Sequence, residues 1–78
     1  MLVFDGKEFR RLRKQAGIRP EAMAVALGRS AATVRFYEQG RAEPTIAMVG
    51  KIAAQLGCDP LALLQTVPAP RVGERRAS

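Results

Sequence analysis

The side chains of this chain that could do chemistry are mainly cationic. Its 78 residues include 13 Lys and Arg against 7 Asp and Glu, and no His. The segment "SAATVRFYE" at residues 30–38 places Arg35 directly before two aromatic residues, Phe36 and Tyr37. A guanidinium group can pair with guanine or with phosphate oxygens, and an exposed ring can cover a sugar or a thymine methyl. This pattern favours binding to an acidic partner over making or breaking bonds.

Catalytic and metal-binding functions have little support in the sequence. Without His, the chain lacks the commonest metal ligand and proton carrier of proteins. Cys58 is the single cysteine, so no internal disulfide can form, and its neighbours do not have the spacing of metal ligands. We therefore predict a protein that is not an enzyme and needs no metal or cofactor, with Cys58 as a small core residue.

The net charge of +6, with a pI near 10.8, predicts an acidic partner. Nucleic acid is the first candidate, and an anionic membrane surface is the alternative. No apolar run approaches the roughly 20 residues of a membrane span, and the N-terminus lacks the features of a secretory signal. The expected location is therefore the cytoplasm. Positive charge is concentrated in residues 1–16, with a net of +3, and in residues 67–78, with a net of +2.

A first helix is predicted over about residues 6–16. Asp5 and Glu8 have the spacing of a capping box, in which each side chain bonds to the backbone N–H of the other residue. Phe4 and Phe9 have the spacing of a hydrophobic staple across the same helix start.

Two further helices are predicted around a very short connection. Helix 2 starts at Pro20, which suits the first helical position, and helix 3 covers about 31–39 with Ser30 as its N-cap. Only "GRS" at residues 28–30 separates them, and a three-residue turn with a glycine between two short helices is typical of a helix-turn-helix unit. The residues expected to face inward are Met23, Ala24, Leu27, Val34, Tyr37 and Glu38.

The sequence of the second half of the chain predicts two more helices and a tail. Thr45 caps helix 4, whose inward residues are expected to be Ile46, Val49, Ile52, Ala53 and Leu56. Asp59 and Pro60 begin a short fifth helix that runs to Leu64, and no strand pattern is visible. These elements predict a domain over residues 1–66, and the composition of residues 67–78 predicts a disordered basic tail.

From about residue 9 to 64 the chain resembles the Cro/C1-type, or XRE, helix-turn-helix domains of phage repressors and bacterial regulators. The resemblance runs through "LRKQAG" at 12–17, "MAVALG" at 23–28, "YEQGR" at 37–41 and "IAAQLG" at 52–57. It implies an all-α, compact five-helix, lambda-repressor-like fold with helices 2 and 3 as the helix-turn-helix. It also implies an ion pair between Arg13 and Glu38 that is buried between helix 1 and the end of helix 3.

The resemblance implies that helix 3 enters the major groove of DNA. Its base-facing residues would be Ala31, Ala32, Arg35 and Phe36. The residues placed for phosphates would be Arg19, Arg29, Ser30, Thr33 and Arg41, with Arg10, Arg11 and Lys14 as further candidates.

The chain departs from the family in the residues that recognise bases. Several members have glutamine at the positions of Ala31, Ala32 and Pro20, so these three positions cannot recognise adenine by paired amide bonds. Alanine methyls against thymine methyls, and Arg35 on guanine, are the contacts left. "TVRFYE" at 33–38 also resembles the recognition helix of MerR-type activators, but the "GRAEPTIAMVGKIAAQLG" that follows has XRE spacing.

Two functions remain open at this point. The first is a sequence-specific regulator of double-stranded DNA: a phage Cro-like repressor, a controller protein or an antitoxin-type autorepressor, without a small-molecule effector. It would act in the bacterial nucleoid or in a phage-infected host cell. The alternative is a protein-interaction module that binds through the apolar outer face of helix 3. A homodimer on an inverted repeat is expected, with the leucine-rich end of the domain as its interface: Leu61, Leu63, Leu64 and Val67. The same residues could instead complete the core of a monomer.

Overall fold

The computed structural model describes residues 1–68 as four α-helices closed by a small sheet. The elements in chain order are β1 (Leu2–Phe4), α1 (Gly6–Gln15), α2 (Pro20–Leu27), α3 (Ala31–Gln39), α4 (Ile46–Leu56), a 3₁₀ helix (Pro60–Leu63) and β2 (Leu64–Thr66). No helix among these residues is long and apolar enough to cross a membrane. The same residues contain no group of His, Cys, Asp and Glu that could hold a metal ion.

Local signals in the sequence set the helix boundaries. The side chains of Asp5, Ser30 and Thr45 each accept a hydrogen bond from the backbone N–H three residues later, at 3.1 Å in all three cases. Gly28 and Gly40 end α2 and α3 in the left-handed conformation, with φ of 68° and 74°. These caps satisfy backbone groups that the helices leave unpaired, and they fix the turn between α2 and α3.

The predicted fifth helix is a single four-residue 3₁₀ turn, and the absence of strands in the prediction is wrong. Leu64 is extended, with φ −116° and ψ 147°, and it pairs with Phe4 in an antiparallel ladder that also joins Leu2 to Thr66. Three-residue strands carry too little alternation to be recognised, and their pairing depends on a contact between the two ends of the chain.

The capping box at α1 forms only in part. The Asp5 carboxylate accepts from the Glu8 N–H, but the Asp5 N–H donates to the Leu63 carbonyl at 2.7 Å. The Glu8 side chain pairs instead with Arg11, Oε2 to Nη2 at 2.6 Å. The carbonyl of Leu63, the last residue of the 3₁₀ helix, therefore takes the N–H that Glu8 was expected to bind.

The core lies between α1, α2, α3 and α4, with Phe9, Met23, Val34, Ile52 and Leu63 essentially inaccessible to solvent. Phe4 packs edge-on against Phe9, with 5.6 Å between ring centroids, as the predicted staple requires. All the inward residues predicted on α2 and α3 are buried there, and Glu38 buries its side chain.

Two predictions about packing are corrected. Ile46 is 92% exposed, and Met48 takes its place in the core, because Ile46 is the first residue of α4 and lies on its outer side. Leu63 is fully buried and cannot belong to a dimer interface in this conformation. Leu64 and Val67 are half-buried, whereas Leu61 is 68% exposed.

The boundary predicted after residue 66 and the disordered tail stay predictions. Val67 still exchanges backbone hydrogen bonds with Met1, at 2.8 and 2.9 Å. Residues 69–78 lie outside the described residues.

Candidate nucleic-acid interface

The two faces of α3 differ sharply in burial. Val34 is fully buried and Tyr37 nearly so, whereas Ala32, Arg35 and Phe36 are exposed. Ala31, expected on the outer face, is half-buried and packs against the core. The outer face of α3 is therefore formed chiefly by three of the four residues predicted to face DNA bases.

Arg35 makes a contact that the sequence did not predict. Its Nη2 lies 3.0 Å from Oε2 of Glu21, which stands in the first turn of α2. Both side chains are about half exposed, at 51% for Arg35 and 61% for Glu21. No local pattern joins two residues 14 positions apart, so only the packing of α2 on α3 reveals this pair.

The guanidinium of Arg41 lies over the ring of Phe36. The Phe36 side chain is 41% exposed, and the guanidinium carbon of Arg41 lies 5.7 Å from its ring centroid. The turn at Gly40 brings Arg41 back, because the Arg41 N–H donates to the Phe36 carbonyl at 2.9 Å. A cation over the face of an aromatic ring is favourable, and it places the positive charge beside the outer face of α3.

Four of the five predicted phosphate-facing residues lie at the starts of α2 and α3, and Arg41 lies past the end of α3. Ser30 Oγ accepts from the Thr33 N–H at 3.1 Å and lies 3.0 Å from Thr33 Oγ1. Arg29 Nη1 donates to the Gly28 carbonyl at 3.2 Å, and Arg19 precedes α2 without a side-chain cap bond. Hydroxyl groups and guanidinium groups with free donors beside a helix start suit phosphate oxygens.

The ion pair implied by the resemblance is present in the structure. Arg13 Nε lies 2.5 Å from Glu38 Oε2, and Arg13 Nη1 donates to the Ile18 carbonyl at 2.8 Å. Both side chains are less than one-tenth exposed, and every buried side-chain N or O atom among the described residues has a hydrogen-bond partner. This pair joins α1 to α3 and is therefore part of the scaffold.

Two recesses adjoin α3 and share Arg10, Glu38 and Gln39. The smaller recess, of about 290 Å³, is formed by Arg10, Arg13, Pro20, Arg35, Glu38 and Gln39. The larger one, of about 770 Å³, runs along α1, and its cationic lining consists of Lys7, Arg10, Arg11 and Lys14. The Arg11 guanidinium lowers the pKa of Glu8 by donating hydrogen bonds to its carboxylate. Arg10 thus connects the positive face of α1 with the surface beside Arg35.

A sequence model of the helix-turn-helix domain family matches residues 6–66. The chain belongs to this family.

Solved structures of other proteins contain similar helix-turn-helix domains. The restriction-modification controller protein C.AhdI from Aeromonas hydrophila is 28% identical over 74% of this chain and 88% of its own, with a TM-score of 0.70. The P22 c2 repressor, solved in complex with a synthetic operator, has the same identity, coverages and TM-score. These similarities confirm the resemblance to Cro/C1-type domains.

Part of an enzyme structure is also similar to this chain. Hydroxypropylphosphonic acid epoxidase from S. wedmorenis is 31% identical over 77% of this chain, with a TM-score of 0.72, but the match spans only 32% of the enzyme. No curated protein sequence matches the chain.

Proposed function

We propose that this helix-turn-helix domain is a DNA-binding transcriptional regulator that recognises a specific double-stranded sequence through α3. The observation that carries the proposal is the outer face of α3, where Arg35 and Phe36 are exposed beside Ala32 and flanked by Arg41. Its similarity to a repressor solved on its operator and to a controller protein supports the same function.

Arg35 is the residue proposed to recognise a base. On a helix in the major groove, a guanidinium can donate two hydrogen bonds to guanine N7 and O6, which is worth about 1–3 kcal/mol of discrimination. Ala32 offers a methyl group to thymine, and Phe36 offers an apolar ring to a thymine methyl or a sugar. Ala31 is half-buried and contributes less surface than the other three.

The affinity is proposed to come mainly from phosphate contacts. Arg19 and Arg29 lie beside the starts of α2 and α3, Ser30 and Thr33 lie on the first turn of α3, and Arg41 follows its end. Arg10 extends this positive surface onto α1. Each phosphate that is neutralised releases counterions, so the binding constant should fall steeply with salt concentration.

A repressor acting as a homodimer on an inverted repeat is the most specific form of the proposal. The two copies of α3 would lie about 34 Å apart, one helical turn of DNA. Leu61, the exposed member of the predicted interface, offers apolar surface to a second copy. A domain that only blocks a promoter needs no effector pocket, and this suits a Cro-like, controller or antitoxin-type repressor.

The test is a selection of bound sequences from random duplex DNA, followed by salt titrations with the Arg35→Ala variant. We expect a defined site for the wild type and a loss of about 5- to 150-fold in affinity for that site in the variant, because a base contact is lost. Lys51→Ala is the matched control, since it removes one exposed cation from α4 and should keep the base preference. If wild-type protein selects no sequence, or if Arg35→Ala binds the selected site as well as wild type, the proposal is wrong.

The exposed ring of Phe36 favours one alternative, a protein-interaction module that binds through α3. The apolar patch is small, since Ala31 packs inward and Arg41 covers part of the ring. Under this alternative Phe36→Ala would abolish partner binding, and Arg35→Ala would leave DNA affinity unchanged at every salt concentration.

A further inference from the structure

Glu21 lies on the exposed surface that α2 and α3 form together. It is the second residue of α2, after Pro20, and its carboxylate accepts a hydrogen bond from Arg35 at 3.0 Å. Among residues 1–68, Glu21 is the acidic residue that forms an ion pair with Arg35 on the outer face of α3.

The position of this carboxylate is set by the scaffold. α2 begins at Pro20, whose ring fixes the backbone at the helix start, and negative charge is favourable at that end of a helix. The left-handed Gly28 and the Ser30 cap then hold α3 against α2. Glu21 and Arg35 therefore keep their relative placement without any contribution from DNA.

The ion pair between Glu21 and Arg35 contributes little to the stability of the fold. Both side chains are more than half exposed, and ion pairs on the surface contribute little because solvent screens them. Its main effect is on the guanidinium, which has several rotatable bonds and would otherwise sample many directions.

We propose that Glu21 is a positioning residue that orients Arg35 toward the DNA base and thereby sharpens sequence preference. The inference rests on the proposed function. A guanidinium has five N–H donors, and Glu21 occupies one donor on Nη2. The remaining donors suffice for guanine N7 and O6, so Arg35 can contact Glu21 and a base at the same time.

The carboxylate has a second effect of opposite sign. It accepts hydrogen bonds but cannot donate them, and it repels phosphate oxygens wherever the protein lies on DNA. Glu21 should therefore weaken binding to unrelated sequences while strengthening discrimination at the correct site. Loss of the side chain should change these two quantities in opposite directions, which a purely structural role would not do.

The experiment compares Glu21→Ala and Glu21→Gln with wild type on the selected site and on an unrelated duplex at one salt concentration. We expect affinity for the unrelated duplex to rise about twofold to fivefold, because a negative charge is removed from the interface. The ratio of the affinities for the selected site and the unrelated duplex should fall by about tenfold in Glu21→Ala. This loss should come from the base pair that Arg35 contacts. The same ratio for Glu21→Gln should lie between those of wild type and Glu21→Ala, because the glutamine amide oxygen still accepts a hydrogen bond but carries no charge.

Glu8→Ala is the matched control. It removes the same charge and also frees an arginine, since Glu8 pairs with Arg11 at 2.6 Å on α1. It should leave the preference at that base pair unchanged. In an Arg35→Ala background, Glu21→Ala should have no further effect on base preference, because there is no guanidinium left to orient.

The outcomes separate the inference from the proposed function. A wild-type protein without sequence preference overturns both. A wild type that has a preference, together with a Glu21→Ala variant that keeps it, overturns the inference alone. A rise in specific affinity as large as the rise in non-specific affinity also overturns it, because Glu21 would then oppose Arg35.

Discussion

Arg13 on α1 and Glu38 at the end of α3 form a buried ion pair, with Arg13 Nε 2.5 Å from Glu38 Oε2. Arg13 also donates to the Ile18 carbonyl, in the segment between α1 and α2. One guanidinium thus ties three parts of the scaffold together directly behind the face that carries Arg35 and Phe36.

Glu38→Ala should destabilise the domain strongly. It leaves the Arg13 guanidinium buried without its counter-charge, which typically costs about 3–5 kcal/mol. Urea unfolding followed by circular dichroism measures this free energy. Glu8→Ala serves as the control, because its ion pair with Arg11 is open to solvent and its loss should change stability little. Equal stabilities of the two variants would show that the pair contributes nothing through burial.

Two glycine-to-alanine changes should have opposite signs. A Cβ on Gly6 would clash with the Tyr37 carbonyl oxygen and would lie 2.7 Å from that of Glu38. Because both obstacles are backbone atoms, α1 and α3 must separate, and we expect Gly6→Ala to cost about 1–3 kcal/mol.

Gly50→Ala is the matched change within a helix. A Cβ there meets no atom within 4 Å among those described, and Gly50 lies inside α4 without a positive φ. Alanine should stabilise the domain by about 0.5–1 kcal/mol, because glycine is the weaker helix former. Thermal unfolding of both variants checks the signs, and a neutral Gly6→Ala would contradict the close approach of α1 to α3.

The proposed dimer predicts a specific effect at Leu61. Leu61 is 68% exposed, so Leu61→Asp should leave the monomer folded but raise the dimer dissociation constant at least about tenfold, through burial of an unpaired charge at the interface. Sedimentation with and without the operator duplex measures the oligomeric state. Val25→Asp on α2 is the control, since Val25 is 83% exposed and lies outside the predicted interface. A wild type that stays monomeric on DNA would contradict the dimer.

The thiol of Cys58 should be unreactive near neutral pH. Burial raises the pKa of Cys58, and the negative charge of Asp59 raises that pKa further. Since the thiolate is the reactive form, alkylation of the folded protein should be slower than that of the urea-unfolded chain, with its pH profile shifted upward.

The same shift links Cys58 to stability. The unfolded thiol ionises first as the pH rises, so the contribution of Cys58 is complete below the unfolded pKa, about 8.5, and is lost as the pH rises through the folded pKa. Asp59→Asn should move the alkylation profile part of the way back, while its side-chain oxygen can still cap Leu61. Identical profiles for folded and unfolded protein would contradict the effect of burial.

Much of the helical framework was predictable from residues near one another in the chain. Caps at Asp5, Ser30 and Thr45 bond to groups three residues away, and Gly28 and Gly40 provide a backbone conformation that other residues rarely adopt. Such interactions depend on local sequence, so they fix the starts of α1, α3 and α4 and the ends of α2 and α3. The outward placement of Ala32, Arg35 and Phe36 follows from the same helical phase.

Other features depend on contacts between distant residues, which no local pattern encodes. The sheet pairs Leu2 with Thr66, and the expected fifth helix is a 3₁₀ turn that runs directly into β2. The Phe4 N–H, on the free edge of β1, donates to Glu43 at 2.9 Å across 39 positions of the chain. Met48 rather than Ile46 is buried in the core, and this likewise reflects how α4 is rotated against its neighbours.

The candidate site also combines features set by local sequence with features set by tertiary contacts. The sequence determined which residues lie on the outer face of α3, because a capped helix of known phase leaves little choice of face. Only the tertiary structure decided what those residues touch: Arg35 meets Glu21 because α2 packs on α3, and Ala31 turns toward the core that this packing creates. Helix phase is set by bonds spanning three or four residues, whereas the crossing of two helices is set by the whole core.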